Sequence, residues 1–240
     1  MKTGLLFTIL ISSMLLGCST NTPSLAMDNS DPEQTDVREI NILSLGDSYT
    51  IGQSVCASCK FPEQLKDSLI SNLNDNSEFN LRIIAQTGWT TTDLKNRIAI
   101  ENPSNTNDLV TLLIGVNNQF QGISFSVYEI EFVDLVNTAI SKAGGDKNRL
   151  IVLSIPDYAF TTFGQNYGNP IETSLEIDQY NDFAQAYCLQ NDISYVYITD
   201  ISRLGLDNPD LVATDNLHPS ELAYSLFVER LLPIALEKIE

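Results

Sequence analysis

An open, doubly wound α/β sheet is the fold this sequence predicts, and three observations carry the prediction. From residue 39 onward, short apolar runs alternate with amphipathic stretches, the pattern of βαβ units around a parallel sheet. Several of those runs are apolar throughout, as expected of strands covered on both faces. The 240 residues, 43% of them hydrophobic, supply a core large enough for one domain.

The N-terminal segment falls outside that pattern. Lys2 gives a positive start, and the apolar run at 5–16 is shorter than the roughly 20 residues that span a bilayer. Leu15-Leu16-Gly17-Cys18 resembles the bacterial lipobox, whose cysteine becomes a lipidated N-terminus. Residues 1–17 read as a lipoprotein signal peptide; the alternative is an ordinary secretory signal with a chance cysteine. Residues 18–38, polar and rich in Ser, Thr, Asn, Asp and Pro, read as a flexible tether to a domain at 39–240. The expectation is an exported protein in the bacterial cell envelope, held to a membrane by lipid on Cys18.

Strands are expected at 40–45, 81–85, 109–114, 150–155 and 195–198. Between them, Pro62 suits a first helical turn, with Leu65, Leu69 and Leu73 repeating every four residues behind it. A shorter helix fits 92–100. Ser126-Val127-Tyr128-Glu129 matches a capping box opening a helix that ends before Gly144-Gly145. Ile177, Tyr180, Ala184, Tyr187 and Cys188 share a helical face, and 220–239 is a last helix with Pro233 expected to kink it. Ligands of such sheets bind beyond the carboxyl ends of the strands.

Composition narrows the function. With 13 Lys+Arg against 31 Asp+Glu, the chain carries −18 and repels phosphate backbones and anionic headgroups. That argues against nucleic-acid binding and a basic membrane patch. Four cysteines are too few for a disulfide scaffold. In an exported protein Cys56-Ala57-Ser58-Cys59 reads as a local disulfide beside Ser48. It is a poor zinc half-site, since only Cys188 and His218 remain as partners, and a poor redox motif, since it does not open the first helix after a bare strand. Cys188, on an apolar face, is expected to be a buried free thiol. Nothing in the pattern fixes an oligomeric state.

The strand ends hold the chemistry. Gly46-Asp47-Ser48 follows the first strand; it is a turn sequence, but it also sets a serine hydroxyl at the crevice. The only histidine, His218, sits in Asp215-Asn216-Leu217-His218-Pro219 before the last helix. Serine hydrolysis needs a base beside Oγ and a carboxylate that fixes the imidazole tautomer, and Asp215 is close enough in sequence to do the second job. Oxyanion donors are available from Gly88 after the second strand and Asn117 after the third.

In that order the four blocks resemble those of the GDSL-type, or SGNH, hydrolases, over residues 46–219. The resemblance implies Ser48 as nucleophile, Asp215 and His218 as its triad partners, and the Ser48 N–H, Gly88 N–H and Asn117 amide as the oxyanion hole. It further implies a flavodoxin-like α/β/α sandwich with a five-stranded parallel sheet, a small ester as substrate, and neither cofactor nor metal. One departure stands out: Asn118 follows Asn117 where the family often has aspartate, which puts that loop's supporting hydrogen bonds in question. Absence of a Gly-x-Ser-x-Gly elbow disfavours the α/β-hydrolase fold.

Tyr158, Phe160, Phe163 and Tyr167, after the fourth strand, either line an acyl or aryl pocket or only anchor their loop. Tyr49, Gln53 and Phe120 are further pocket candidates. Lysophospholipids, acylated sugars and short-chain esters all remain open as substrates. Two rivals stand beside the hydrolase: a non-catalytic, ligand-binding envelope lipoprotein, and a nucleotide binder with phosphate at the first loop. The second is disfavoured by Asp47 and by the lack of a glycine-rich basic cradle there.

Overall fold

The computed structural model describes residues 37–73 and 75–239. The 1–17 leader, the lipidation candidate Cys18 and all but the end of the 18–38 tether lie outside the described residues. Five strands form one sheet: β1 (Glu39–Gly46), β2 (Glu78–Ala85), β3 (Leu109–Leu113), β4 (Leu150–Leu153) and β5 (Ser194–Val196). All pairings are parallel, in the order β2-β1-β3-β4-β5. The chain steps outward from β1 to β2, then crosses back to β3 on the other side. The strand order therefore reverses between β1 and β3, where open α/β sheets carry their ligands.

The helices are α1 (Ser48–Ile51), α2 (Phe61–Leu73), α3 (Thr91–Glu101), α4 (Val116–Phe120), α5 (Phe125–Lys142), α6 (Thr162–Asn166), α7 (Pro170–Gln190), α8 (Thr199–Ser202) and α9 (Glu221–Ile239). Helix α2 packs on α9, while α3 packs on α5 and α5 on α7, giving the two outer layers. Between them, β3 and β4 are buried along their whole length, which explains their unbroken apolar sequence.

Two local expectations change. Strand β2 begins three residues earlier than its apolar signal, because Glu78 and Asn80 point to solvent on a sheet edge and leave no hydrophobic trace. The capping box expected at Ser126 does not form. Helix α5 starts at Phe125, and Ser126 instead bonds the hydroxyl of Ser124 at 2.8 Å. A capping box does open α3, where Thr90 and Asp93 bond each other's backbone N–H. The last helix is present as α9, which continues past Pro233. Pro233 lies on the exposed side, so the Glu229 carbonyl that loses its partner faces water.

Cys188 is a buried free thiol whose pKa burial pushes up to about 12. Cys56 and Cys59 are bridged. No helix among the described residues is long and apolar enough to cross a membrane.

Candidate active site

The site assembles at the carboxyl ends of β1, β2 and β3, with one loop arriving from β5. At the end of β1 the backbone needs glycine: a Cβ on Gly46 would lie 2.4 Å from the Leu113 carbonyl oxygen and 2.1 Å from Thr50 Oγ1. Asp47 then caps α1, its Oδ1 accepting the Tyr49 N–H at 3.0 Å, so that Ser48 becomes the first helical residue. Asp47 is fully buried, and that desolvation pushes its carboxyl up to about 7 despite the bond from Tyr49. Its second oxygen has no partner among the described residues; nor have the buried Thr50 and Tyr224 hydroxyls.

Gly88 adopts φ 85°, and a Cβ there would touch nothing within 4 Å. Glycine is needed for its backbone conformation, not for space. Its carbonyl accepts from Gln121 Nε2 at 2.9 Å, which fixes the orientation of this loop. Neither the Gly88 nor the Ser48 N–H donates to a backbone carbonyl among the described residues.

Asn117 lies in the first turn of α4, entered through Gly115 at φ 132°, where a Cβ would meet the Tyr128 ring at 2.6 Å. Its Nδ2 donates to the Trp89 carbonyl at 3.0 Å, leaving a second amide hydrogen. The neighbouring Asn118 resolves the question raised by the sequence. Fully buried, it accepts the Thr91 N–H at 2.9 Å and donates to Thr91 Oγ1 at 2.7 Å, tying the Asn117 loop to the start of α3.

His218 is 8% exposed, in a loop closed at its base by the Val212–Pro219 bridge. Its Nδ1 meets Asp215 Oδ2 at 2.6 Å, which leaves Nε2 as the nitrogen not engaged by the carboxylate. Asp215 Oδ1 accepts the backbone N–H groups of Leu217 and His218, both at 3.0 Å, and Ser54 Oγ donates to Oδ2 at 2.6 Å. Burial works against the charge here. The bonds from Ser54, His218 and Leu217 outweigh it and hold the carboxyl at about 2.

Ser48, Gly88, Asn117 and His218 face one cavity of about 190 Å³, walled by Tyr49, Val116, Phe120, Tyr158 and Leu217. Phe120 carries an aromatic group on its outer side: its ring centroid is 4.8 Å from Tyr167 and 6.2 Å from Phe163, and the last two are stacked at 5.3 Å. Phe160 turns the other way, beneath the Arg203 guanidinium. Gln53 does not wall the cavity; it accepts the Thr87 hydroxyl at 2.7 Å. Ser54, Gln121 and Thr91 were invisible as site residues because each acts through a bond to a distant loop that no spacing announces. Among the described residues no three His, Cys, Asp or Glu side chains converge as a metal site.

A serine, a histidine held by a carboxylate, and unpaired N–H donors around one cavity at the switch point of a parallel sheet define a hydrolase acting on esters. The chain belongs to the GDSL-like Lipase/Acylhydrolase family, whose model matches residues 44–226. Solved structures share the fold. A lipase/acylhydrolase from Enterococcus faecalis is 20% identical with a TM-score of 0.64, covering 84% of this chain and 97% of its own. Lipase Lip_vut3 from a goat rumen metagenome is 17% identical with a TM-score of 0.66, covering 84% and 100%. The psychrotrophic esterase EstA from Pseudoalteromonas sp., solved in a form inhibited by monoethylphosphonate, is 16% identical with a TM-score of 0.57, covering 82% and 97%. A search of curated proteins returns no match.

Proposed function

We propose that the protein cleaves small carboxylic esters through an acyl-enzyme on Ser48. Ser48 Oγ attacks the ester carbonyl carbon while His218 takes the hydroxyl proton. His218 returns that proton to the alcohol oxygen as the C–O bond breaks, leaving the acyl group on Ser48. Water attacks the acyl carbon, giving its proton to His218, and Ser48 takes the proton back as the acid leaves. Asp215 fixes the imidazole with Nδ1 toward the carboxylate and steadies its positive charge. The oxyanion is held by the Ser48 and Gly88 N–H groups and the Asn117 amide. The observation that carries this reading is the 2.6 Å Asp215–His218 contact in a loop whose histidine shares a cavity with Ser48.

The cavity supports a small substrate. At about 190 Å³ it is smaller than the roughly 300 Å³ at which drug-sized ligand pockets begin, and its walls are mostly apolar. A short acyl or single-ring group would rest against the edge-to-face pair of Phe120 and Tyr158, whose ring centroids are 5.8 Å apart; a longer chain would run out over Phe163 and Tyr167. We place the enzyme in the bacterial cell envelope, lipid-anchored through Cys18, on the strength of the Leu15-Leu16-Gly17-Cys18 sequence. A fluorophosphonate probe tests the reaction: the protein should be labelled and Ser48→Ala should not. Retained labelling or full esterase activity in Ser48→Ala overturns the assignment. An ester panel of graded acyl length, with acetylated sugars, tests the substrate class.

A further inference from the structure

We propose that Ser54, carried on a strap closed by the Cys56–Cys59 bridge, is a positioning residue for Asp215, and that opening the bridge costs turnover through Ser54. The inference rests on the reading of Ser48, His218 and Asp215 as a catalytic triad.

Asp215 receives four donors. Three belong to its own loop: the Leu217 and His218 N–H groups on Oδ1, and His218 Nδ1 on Oδ2. The fourth, Ser54 Oγ at 2.6 Å, comes from the strap that leaves the nucleophile's helix. Among the described residues it is the one side-chain bond that joins the carboxylate to the Ser48 side of the cleft.

The backbone at Ser54 shows that the side chain has a purpose. Its φ is 68°, in the left-handed region where glycine sits without strain and serine does not. A strained serine occupies a position suited to glycine, and its hydroxyl is spent on Asp215.

The strap is otherwise held by backbone bonds from Gln53 to Ser48 and from Val55 to Gly52, with Val55 packed against the core. Gly52 turns the chain out of α1 at φ 75°, and Gln53 takes the Thr87 hydroxyl. Beyond Ser54 the bridge closes residues 56–59, with the Cys59 N–H on the Cys56 carbonyl at 3.1 Å. Gln64 Nε2 then pins the Cys59 carbonyl at 2.6 Å and reaches the Glu221 carbonyl at 3.2 Å, at the start of α9. The strap thus spans the loop of Gly88, the loop of Asp215 and the helix that follows His218. Cys56 is exposed and within reach of a small thiol reductant, whereas Cys188 is buried.

Removing the Ser54 hydroxyl takes away one of the two partners of Asp215 Oδ2 and loosens the carboxylate that orients the imidazole. The loss falls on proton transfer at Ser48, and so on kcat, while the contacts to substrate that set KM are left alone.

The test compares wild type and Ser54→Gly, each before and after dithiothreitol, with alkylation and mass spectrometry counting the two freed thiols. Glycine suits the backbone, so the variant folds and its melting temperature does not fall. We expect kcat to drop roughly tenfold, the value of one hydrogen bond to a charged group, with KM within about twofold. Reduction should lower kcat of wild type and leave Ser54→Gly where it was, because the two changes remove one interaction. Wild-type kcat in Ser54→Gly overturns the proposal; so does a reductant effect that is equal in both proteins, or absent from both. Fluorophosphonate labelling keeps the two readings separate. Failure to label wild type overturns the hydrolase, while labelling without a Ser54 effect overturns only the positioning role.

Discussion

Asn118 and Thr91 grip each other twice, the amide oxygen on the Thr91 N–H at 2.9 Å and the amide nitrogen on the Thr91 hydroxyl at 2.7 Å. The hydroxyl's own proton goes to Glu131 Oε2 at 2.6 Å, so donors and acceptors alternate along the chain Asn118–Thr91–Glu131.

That alternation makes Asn118→Asp a costly substitution despite its shape. Two carboxylates would then compete for one hydroxyl proton in a buried site, at a loss of about 1–3 kcal/mol. Adding Glu131→Gln supplies a donor at the far end and should restore most of the melting temperature. Equal thermal stability of Asn118→Asp and wild type would contradict the network.

Asn117 is expected to act on the reaction and not on the fold. Its amide shares a cavity with Ser48, and one of its hydrogens remains after the bond to Trp89. Asn117→Ala should lose roughly 10²–10³ in kcat, the usual loss for one oxyanion donor, with KM little changed. Steady-state kinetics on a soluble p-nitrophenyl ester would read this directly.

Asp47 sets a pH dependence of stability. Its carboxyl rises from 3.8 in the unfolded chain to about 7 in the fold. The folded state therefore favours the protonated acid; the stability it contributes is complete below 3.8 and disappears as pH rises through about 7. Asp47→Asn keeps an oxygen for the Tyr49 N–H and removes the titration. Its melting temperature relative to wild type should improve from pH 5 to pH 8; a constant difference would show that Asp47 is not the titrating group.

Gly88 and Gly115 should respond differently to alanine. Gly88→Ala meets no atom and suffers only its left-handed backbone, roughly 1–2 kcal/mol. Gly115→Ala adds a Cβ 2.6 Å from the Tyr128 ring, which is fully packed, and should be far the less stable. Urea midpoints of the two variants decide the order.

The strands and the main chemical groups were legible because each is written locally. Apolar runs mark β1, β3 and β4, and Ser48, Gly88, Asn117 and the Asp215–His218 pair each stand directly behind a strand or before a helix. What was illegible depends on distance or solvent. The polar start of β2 belongs to an edge that water can hydrate, and the bond from Ser54 to Asp215 links residues 161 positions apart. The short helices α6 and α8 are built from turn-forming residues and take their shape from caps and packing, not from apolar periodicity. Phe160 differs from its three aromatic neighbours only in the side of the loop it faces, which composition does not encode.

The Phe163 N–H bonds the Asn216 carbonyl at 3.0 Å, stitching the aromatic segment to the turn between Asp215 and His218. With His218 as the proposed base and the aromatic segment as the proposed acyl wall, selectivity and speed are for that reason mechanically joined. An engineer who transplants a new 157–172 segment to admit bulkier acids also resets the turn that carries the base. Broadened acceptance should come with slower turnover until the bond from Phe163 is rebuilt, whereas trimming Phe120, which lies on a separate helix, offers a way to enlarge the chamber without disturbing the base.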